Sequence, residues 1–129
     1  MSDMGPAYDV LLYVSEGLIR VGPEATVRQM ARRLAAEGVG ALVVVEGDQV
    51  HGIVSERDLM LAIAAGQDLD AITAADLDNR DVVTCTPDTT VHDAAVLMME
   101  HYVRHLLVRD HTGPVGMISA RDLLGAYAT

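Results

Sequence analysis

Two short runs in this chain hold a hydroxyl, a guanidinium and a carboxylate side by side: Ser55-x-Arg57-Asp58 and Ser119-x-Arg121-Asp122. Each sits where a β-branched, strand-like run gives way to a helical pattern. A helix N-terminus offers unpaired N–H groups and positive dipole, which together attract an anion. Ser can donate to a phosphate oxygen, and Arg can fork onto it. A carboxylate next to a phosphate is unfavourable by charge. It makes sense if it accepts hydrogen bonds from neutral hydroxyls such as a ribose diol, each worth about 1.5–3 kcal/mol. Phosphate plus ribose points to a nucleotide. The same residues also spell a capping box, Ser at the N-cap and Asp three residues on, with no ligand at all. Thr26-x-x-Gln29 and Thr90-x-x-Asp93 repeat that signal elsewhere, so both readings stand.

The elements that position these runs occur twice. Residues 21–65 align without a gap on 85–129, with identities such as Pro23/Pro87, Thr26/Thr90, Gly52/Gly116, Ser55/Ser119, Arg57/Arg121 and Asp58/Asp122. Such in-register self-similarity marks an internal repeat, and two copies imply two quasi-equivalent surfaces with a pseudo-twofold cleft. In the first copy, Val27, Met30, Ala31, Leu34 and Ala35 recur at helical spacing, and Gly38 stops the helix. Ala41–Val45 and Val50–Val54 are predicted strands around a turn at Glu46–Asp48, and a second helix follows from Glu56. In the second copy Val91, Ala94, Ala95, Met98 and Tyr102 form the helical stripe. Leu106–Val108, a turn at Asp110–Gly113, Val115–Ile118 and a terminal helix follow, and Val103 is read as a strand start. Residues 66–81 are a polar connector with one apolar turn around Ile72–Leu77. Leu59–Ala65 is apolar on every side, which predicts a helix covered on both faces, one of the covers being a second subunit.

Composition narrows the function. The net charge of −10 argues against nucleic acid and against an anionic membrane surface. The apolar runs are too short to span a bilayer, and the polar start does not resemble a secretory signal. The single Cys85 excludes a disulfide framework and fits a reducing, cytoplasmic setting. With no Phe and no Trp, the core must be Val, Leu, Ile, Ala and Met. All nine basic residues are Arg, the better residue for bidentate phosphate contacts, although genome composition would give the same bias.

Pro-(Asp/Glu)-x-Thr-Val, an amphipathic helix, a Val-rich strand and Gly-h-h-Ser-x-x-Asp-Leu (h apolar), in register twice, resemble the CBS domain named for cystathionine β-synthase. The tandem resembles the CBS pair, or Bateman module. The resemblance implies an α/β (α+β) fold of two pseudo-twofold-related βαββα repeats: repeat 1 over 9–65, a connector and start of repeat 2 over 66–81, and repeat 2 over 82–129. It implies adenosyl ligands such as AMP, ADP, ATP or S-adenosylmethionine, and dimers. By the same resemblance, Asp58 and Asp122 match the ribose-binding acid, and Ser55 and Ser119 the hydroxyl beside the phosphate. Val39-Gly40-Ala41 and Val103-Arg104-His105 match the strand entrance that touches base or phosphate. Ile19, Val83, Ile53 and Met117 match the apolar wall of the base pocket. Because repeat 2 has Arg104-His105 where repeat 1 has Gly40-Ala41, unequal sites are expected, with polyphosphate near Arg104, His105 and Arg121.

The expected function is therefore a regulatory module that senses adenine nucleotides and signals to a separate, unknown effector protein, working as a homodimer with no catalytic cofactor. The alternative is a ligand-free dimerisation scaffold in which the Ser/Asp pairs only cap helices. An enzyme is not expected. There is no P-loop, and His101 and His105 flank a strand start, so a metal site is not expected. Cys85 reads as a core residue without catalytic partners. A nucleotide phosphohydrolase would need a metal-binding acid cluster that the scattered acids do not form.

Overall fold

Thr26 is the clearest local instruction in the chain. Its hydroxyl accepts from the Gln29 amide at 3.2 Å while the Gln29 side chain accepts from the Thr26 amide at 3.0 Å, closing a capping box. From it runs α1 (Val27–Glu37), ended by Gly38 at φ 69, a left-handed position that suits glycine. The structure is a computed structural model and describes residues 9, 10, 14 and 18–127. Before α1 lies β1 (Arg20–Val21). After it come β2 (Ala41–Glu46), β3 (Gln49–Ser55), α2 (Glu56–Ala64) and the one-turn α3 (Ala74–Leu77). The second copy follows as β4 (Thr84–Cys85), α4 (Val91–His101), β5 (His105–Asp110), β6 (Gly113–Ser119) and α5 (Ala120–Tyr127).

Each copy builds one three-stranded mixed sheet, ordered β1-β2-β3 and β4-β5-β6. The first strand of each is parallel to the second and the last two form an antiparallel hairpin. Even the register shift repeats, between Val44 and Val45 and between Val108 and Arg109. A mixed α/β fold of two such sheets with their helices is what the repeat predicts.

The chain divides into two compact units that trade their flanking segments. One unit is Leu18–Val82. Its core joins Ile19, Val27, Met30, Leu34, Leu42, Val44, Val54, Leu59, Ala62 and Ala74, with Leu69, Ile72 and Leu77 of the connector packed against it. The other joins Val83–Thr129 to N-terminal residues, among which Val10 is fully buried. That core comprises Val10, Cys85, Val91, Ala94, Met98, Leu106, Val108, Ile118, Leu123 and Ala126. The Val10 amide donates to the Thr89 carbonyl at 2.8 Å, and Asp9 bridges Thr90.

The connector is tied to the first unit by a box the sequence reading did not single out, Thr73-x-x-Asp76. The Thr73 amide and hydroxyl donate to Asp76 Oδ2 at 2.9 and 3.1 Å. The amide of Val27 donates to the Ile72 carbonyl at 3.0 Å, and Arg28 grips Asp70 with Nε to Oδ1 at 2.7 Å. That Arg28 hydrogen bond holds the Asp70 carboxyl below its ordinary range. Two expectations are corrected in the second unit. Tyr102 is not part of the buried stripe: it caps α4 in the left-handed region at φ 54 and is 95% exposed. The helix must reverse there, and the side chain leaves the core as it does. Strand β5 begins at His105 rather than Val103, because the turn out of that left-handed cap takes up two residues.

Candidate functional site

The Ser-x-Arg-Asp runs occupy the predicted corner in both units, at the last residue of the hairpin and the first turn of the following helix. Ser55 is the N-cap of α2. Its amide and hydroxyl donate to Asp58 Oδ2 at 2.8 and 3.0 Å, and the Asp58 amide donates to its hydroxyl oxygen at 3.4 Å. At the second corner the Ser119 amide donates to Asp122 Oδ2 at 2.8 Å, and the Asp122 amide to the Ser119 hydroxyl at 3.1 Å. The capping reading is thus realised twice. It does not use up the carboxylate: both cap bonds go to Asp58 Oδ2, and among the described residues Oδ1 takes no hydrogen bond. Thr90 achieves only half a box, accepting from the Asp93 amide at 3.1 Å.

The strand entrances are stitched to these corners. The Glu56 amide donates to the Gly40 carbonyl, and the Ala120 amide to the Arg104 carbonyl, each at 2.8 Å. Ala41 pairs with Ser55 and His105 with Ser119. The fold therefore brings Gly40, Ala41, Ser55, Arg57 and Asp58 together in one unit, and Arg104, His105, Ser119, Arg121 and Asp122 in the other. Arg57, Arg104 and Arg121 are exposed and make no ion pair among the described residues, while His105 is half-buried. Chemically each corner offers a carboxylate acceptor, a hydroxyl, a helix N-terminus and an exposed guanidinium. The second adds another guanidinium and an imidazole at the strand entrance.

The expected apolar wall is not brought together. Side chains alternate across a strand. Ile19 and Val83 lie on the helix side of their sheets: Ile19 is in one core and Val83 is packed against the other. Ile53 and Met117 pair with Val43 and Leu107, none of which belongs to the helix-side cores, so they lie on the opposite sheet face. Val39 and Val103 also pack toward the helices. What Ile19 and Val83 present at the strand is backbone, their carbonyls accepting from the Val43 and Leu107 amides at 2.9 and 3.0 Å.

The sequence reading passed over one polar cluster. The Asp78 side chain has no solvent exposure and meets His51 Nδ1 at 2.5 Å, with Arg80 Nε at 3.4 Å. The signal was present as an acid immediately before the Asn79 bridge to Ile53, but its partner is 27 residues away on β3.

The chain belongs to the CBS domain family, whose model matches residues 8–65 and again 74–129. A protein of Methanopyrus kandleri is 31% identical over 110 residues, 83% of this chain and 56% of that protein. A solved structure from Pyrococcus horikoshii superposes with a TM-score of 0.84 at 26% identity, covering 95% of this chain and 94% of that one. A CBS domain protein of Pyrobaculum aerophilum, solved in complex with AMP, gives a TM-score of 0.80 at 29% identity over 93% and 98% of the two chains. The chain spans 56% and 65% of the length of its curated relatives from Methanopyrus kandleri and Acidianus ambivalens. Among the described residues no helix is long and apolar enough to cross a membrane.

Proposed function

We propose that this chain is a regulatory ligand-binding module that senses adenine nucleotides (AMP, ADP, ATP or a related adenosyl compound) at its Ser-x-Arg-Asp corners and signals to an effector protein. The observation that carries the reading is the duplicated corner, in which hydroxyl, carboxylate, helix N-terminus and exposed arginine meet in the same way in both units. The AMP complex of the Pyrobaculum aerophilum relative supports an adenosyl ligand. In this reading Asp58 and Asp122 hold the ribose hydroxyls, and Arg57 and Arg121 contribute phosphate charge. Arg104 and His105 make the second corner the tighter one for polyphosphates. Ile19 and Val83 contribute main chain to base recognition, and Ile53 and Met117 contribute side chains. A bound ligand regulates only if it favours one state of the module over another.

The test is calorimetric titration with AMP, ADP, ATP and S-adenosylmethionine, after checking the purified protein for carried-over nucleotide. Asp58→Ala or Asp122→Ala should weaken binding of one compound at least tenfold, as expected for losing a charge-assisted hydrogen bond. Affinity unchanged in the double variant would sink the reading.

A second reading, a ligand-free dimerisation scaffold, draws on one observation. The chain's own atoms satisfy both capping boxes, while Met60, Leu61 and Ile63 on α2 are 64%, 58% and 53% exposed. It predicts that the Asp variants lose about 1 kcal/mol of stability and nothing else.

A further inference from the structure

The first unit has a groove between β1 and the outer face of α1, about 660 Å³ in volume, that none of Ser55, Arg57 or Asp58 lines. Its floor is apolar, with Val21 and Ala25, and its rim carries Arg20, Arg32 and Arg33. That is a concentration of positive charge in a chain whose net charge is −10. Arg32 and Arg33 are exposed and have no ion-pair partner among the described residues, whereas the neighbouring Arg28 is committed to Asp70. Consecutive helical residues point about 100° apart, so Arg32 and Arg33 reach the groove from two directions.

The second unit is an internal control. It copies the strand and helix, yet the positions equivalent to Arg20, Arg32 and Arg33 hold Thr84, Val96 and Leu97. Gln29 and Ala36 are matched there by the acids Asp93 and Glu100. The shared fold therefore does not require the arginines. Acids stand near the groove as well: Glu24 lies over Gly22, where a Cβ would meet its Oε1 at 2.6 Å, and Asp70, held by Arg28, also feels the charge of Arg32.

We infer that this groove is a second, independent ligand site for a small organic polyanion carrying two or more phosphate charges. The groove is open to solvent, and its apolar floor beneath a cationic rim suits an organic body with a charged end. Paired guanidiniums suit phosphate oxygens better than a single ammonium would. Glu24 occupies the lip as a carboxylate that an incoming phosphate displaces.

The probe is inorganic tripolyphosphate, titrated calorimetrically into the whole protein at low salt. Saturable binding is expected. Arg32→Ala with Arg33→Ala should weaken it at least tenfold, Glu24→Gln should tighten it, and raised salt should weaken it. Arg32→Lys/Arg33→Lys should recover part of the affinity, with circular dichroism confirming that every variant is folded. AMP binding should be untouched in Arg32→Ala/Arg33→Ala, and tripolyphosphate binding should be retained in Arg57→Ala/Arg104→Ala/Arg121→Ala, so this site and the corners fail separately. No heat, or binding that survives Arg32→Ala/Arg33→Ala, overturns the proposal. So does loss of binding in Arg57→Ala/Arg104→Ala/Arg121→Ala, which would move the phosphate to the corners. Capture of a polyglutamate peptide by the same arginines without tripolyphosphate binding would make the occupant an acidic polypeptide and overturn it as well.

Discussion

Gly52 and Gly116 are identical in the alignment of the repeats and differ in what surrounds them. A Cβ on Gly52 would run into the Asp78 carboxylate and would lie 2.8 Å from the Asn79 carbonyl oxygen, which is backbone and cannot swing aside. Among the described residues, a Cβ on Gly116 would meet the Val14 side chain, Cγ1 at 3.4 Å and Cγ2 at 3.8 Å. Gly52→Ala should therefore cost about 1–3 kcal/mol in a denaturant titration, and Gly116→Ala distinctly less. Equal costs would mean that the docked connector is not what confines Gly52. Cys85 makes a second prediction at this scale. Burial pushes its thiol up to about 11 from an ordinary 9.0, against a lowering hydrogen bond with Thr89. A raised thiol pKa means that the folded state prefers the neutral form. Its stabilising contribution is complete below pH 9 and lost as the pH rises through 11. Unfolding free energies measured across that window should fall, and Cys85→Ala should remove this part of the slope.

Among the elements, the connector carries the most information per residue. Its single turn α3 is too short to be stable alone and holds its place through long-range ties. These are Ala74 in the core, the reciprocal main-chain bonds of Asn79 with Ile53 at 2.8 and 3.0 Å, and the buried Asp78 carboxylate between His51 and Arg80. Asp78→Ala leaves His51 and Arg80 without their shared acceptor. Amide hydrogen exchange across residues 66–82 should then rise strongly, while exchange in β5 and β6 stays unchanged. A uniform rise throughout the chain would show that Asp78 supports global rather than local stability. Helix α2 makes the complementary prediction. Leu59 and Ala62 fill the core, and Met60, Leu61 and Ile63 face outward, so Leu59–Ala65 is apolar on a side its own unit does not bury. If that side joins two copies, Met60→Ser/Leu61→Ser/Ile63→Ser should shift sedimentation from dimer to monomer without loss of helix.

For the molecule as a whole, legibility followed the range of the interaction. Helices α1 and α4, their Thr caps, both hairpins and both Ser-x-Arg-Asp corners were readable because period and cap chemistry are local. The faces of Ile19 and Ile53 were not, since one step of strand register decides them and short β1 gives no alternation to count. Nor were the destinations of Val10 and the Ile72–Leu77 turn, which are set by docking against partners far along the chain. The arginines of the first helix, Arg28, Arg32 and Arg33, drew no reading of their own from the sequence. Their meaning depended on seeing which of them already had a partner.

The placement of Val10 has a consequence in time. The core it enters needs Val91, Leu106, Ile118 and Ala126, all of which leave the ribosome much later. The unit spanning Leu18–Val82 is one unbroken stretch and can close as soon as it emerges. Val10 must wait beside it, an apolar residue without its pocket, until the second hairpin and α5 are synthesised. The order of synthesis therefore completes the residues of the Leu18–Val82 core before those of the core that takes Val10.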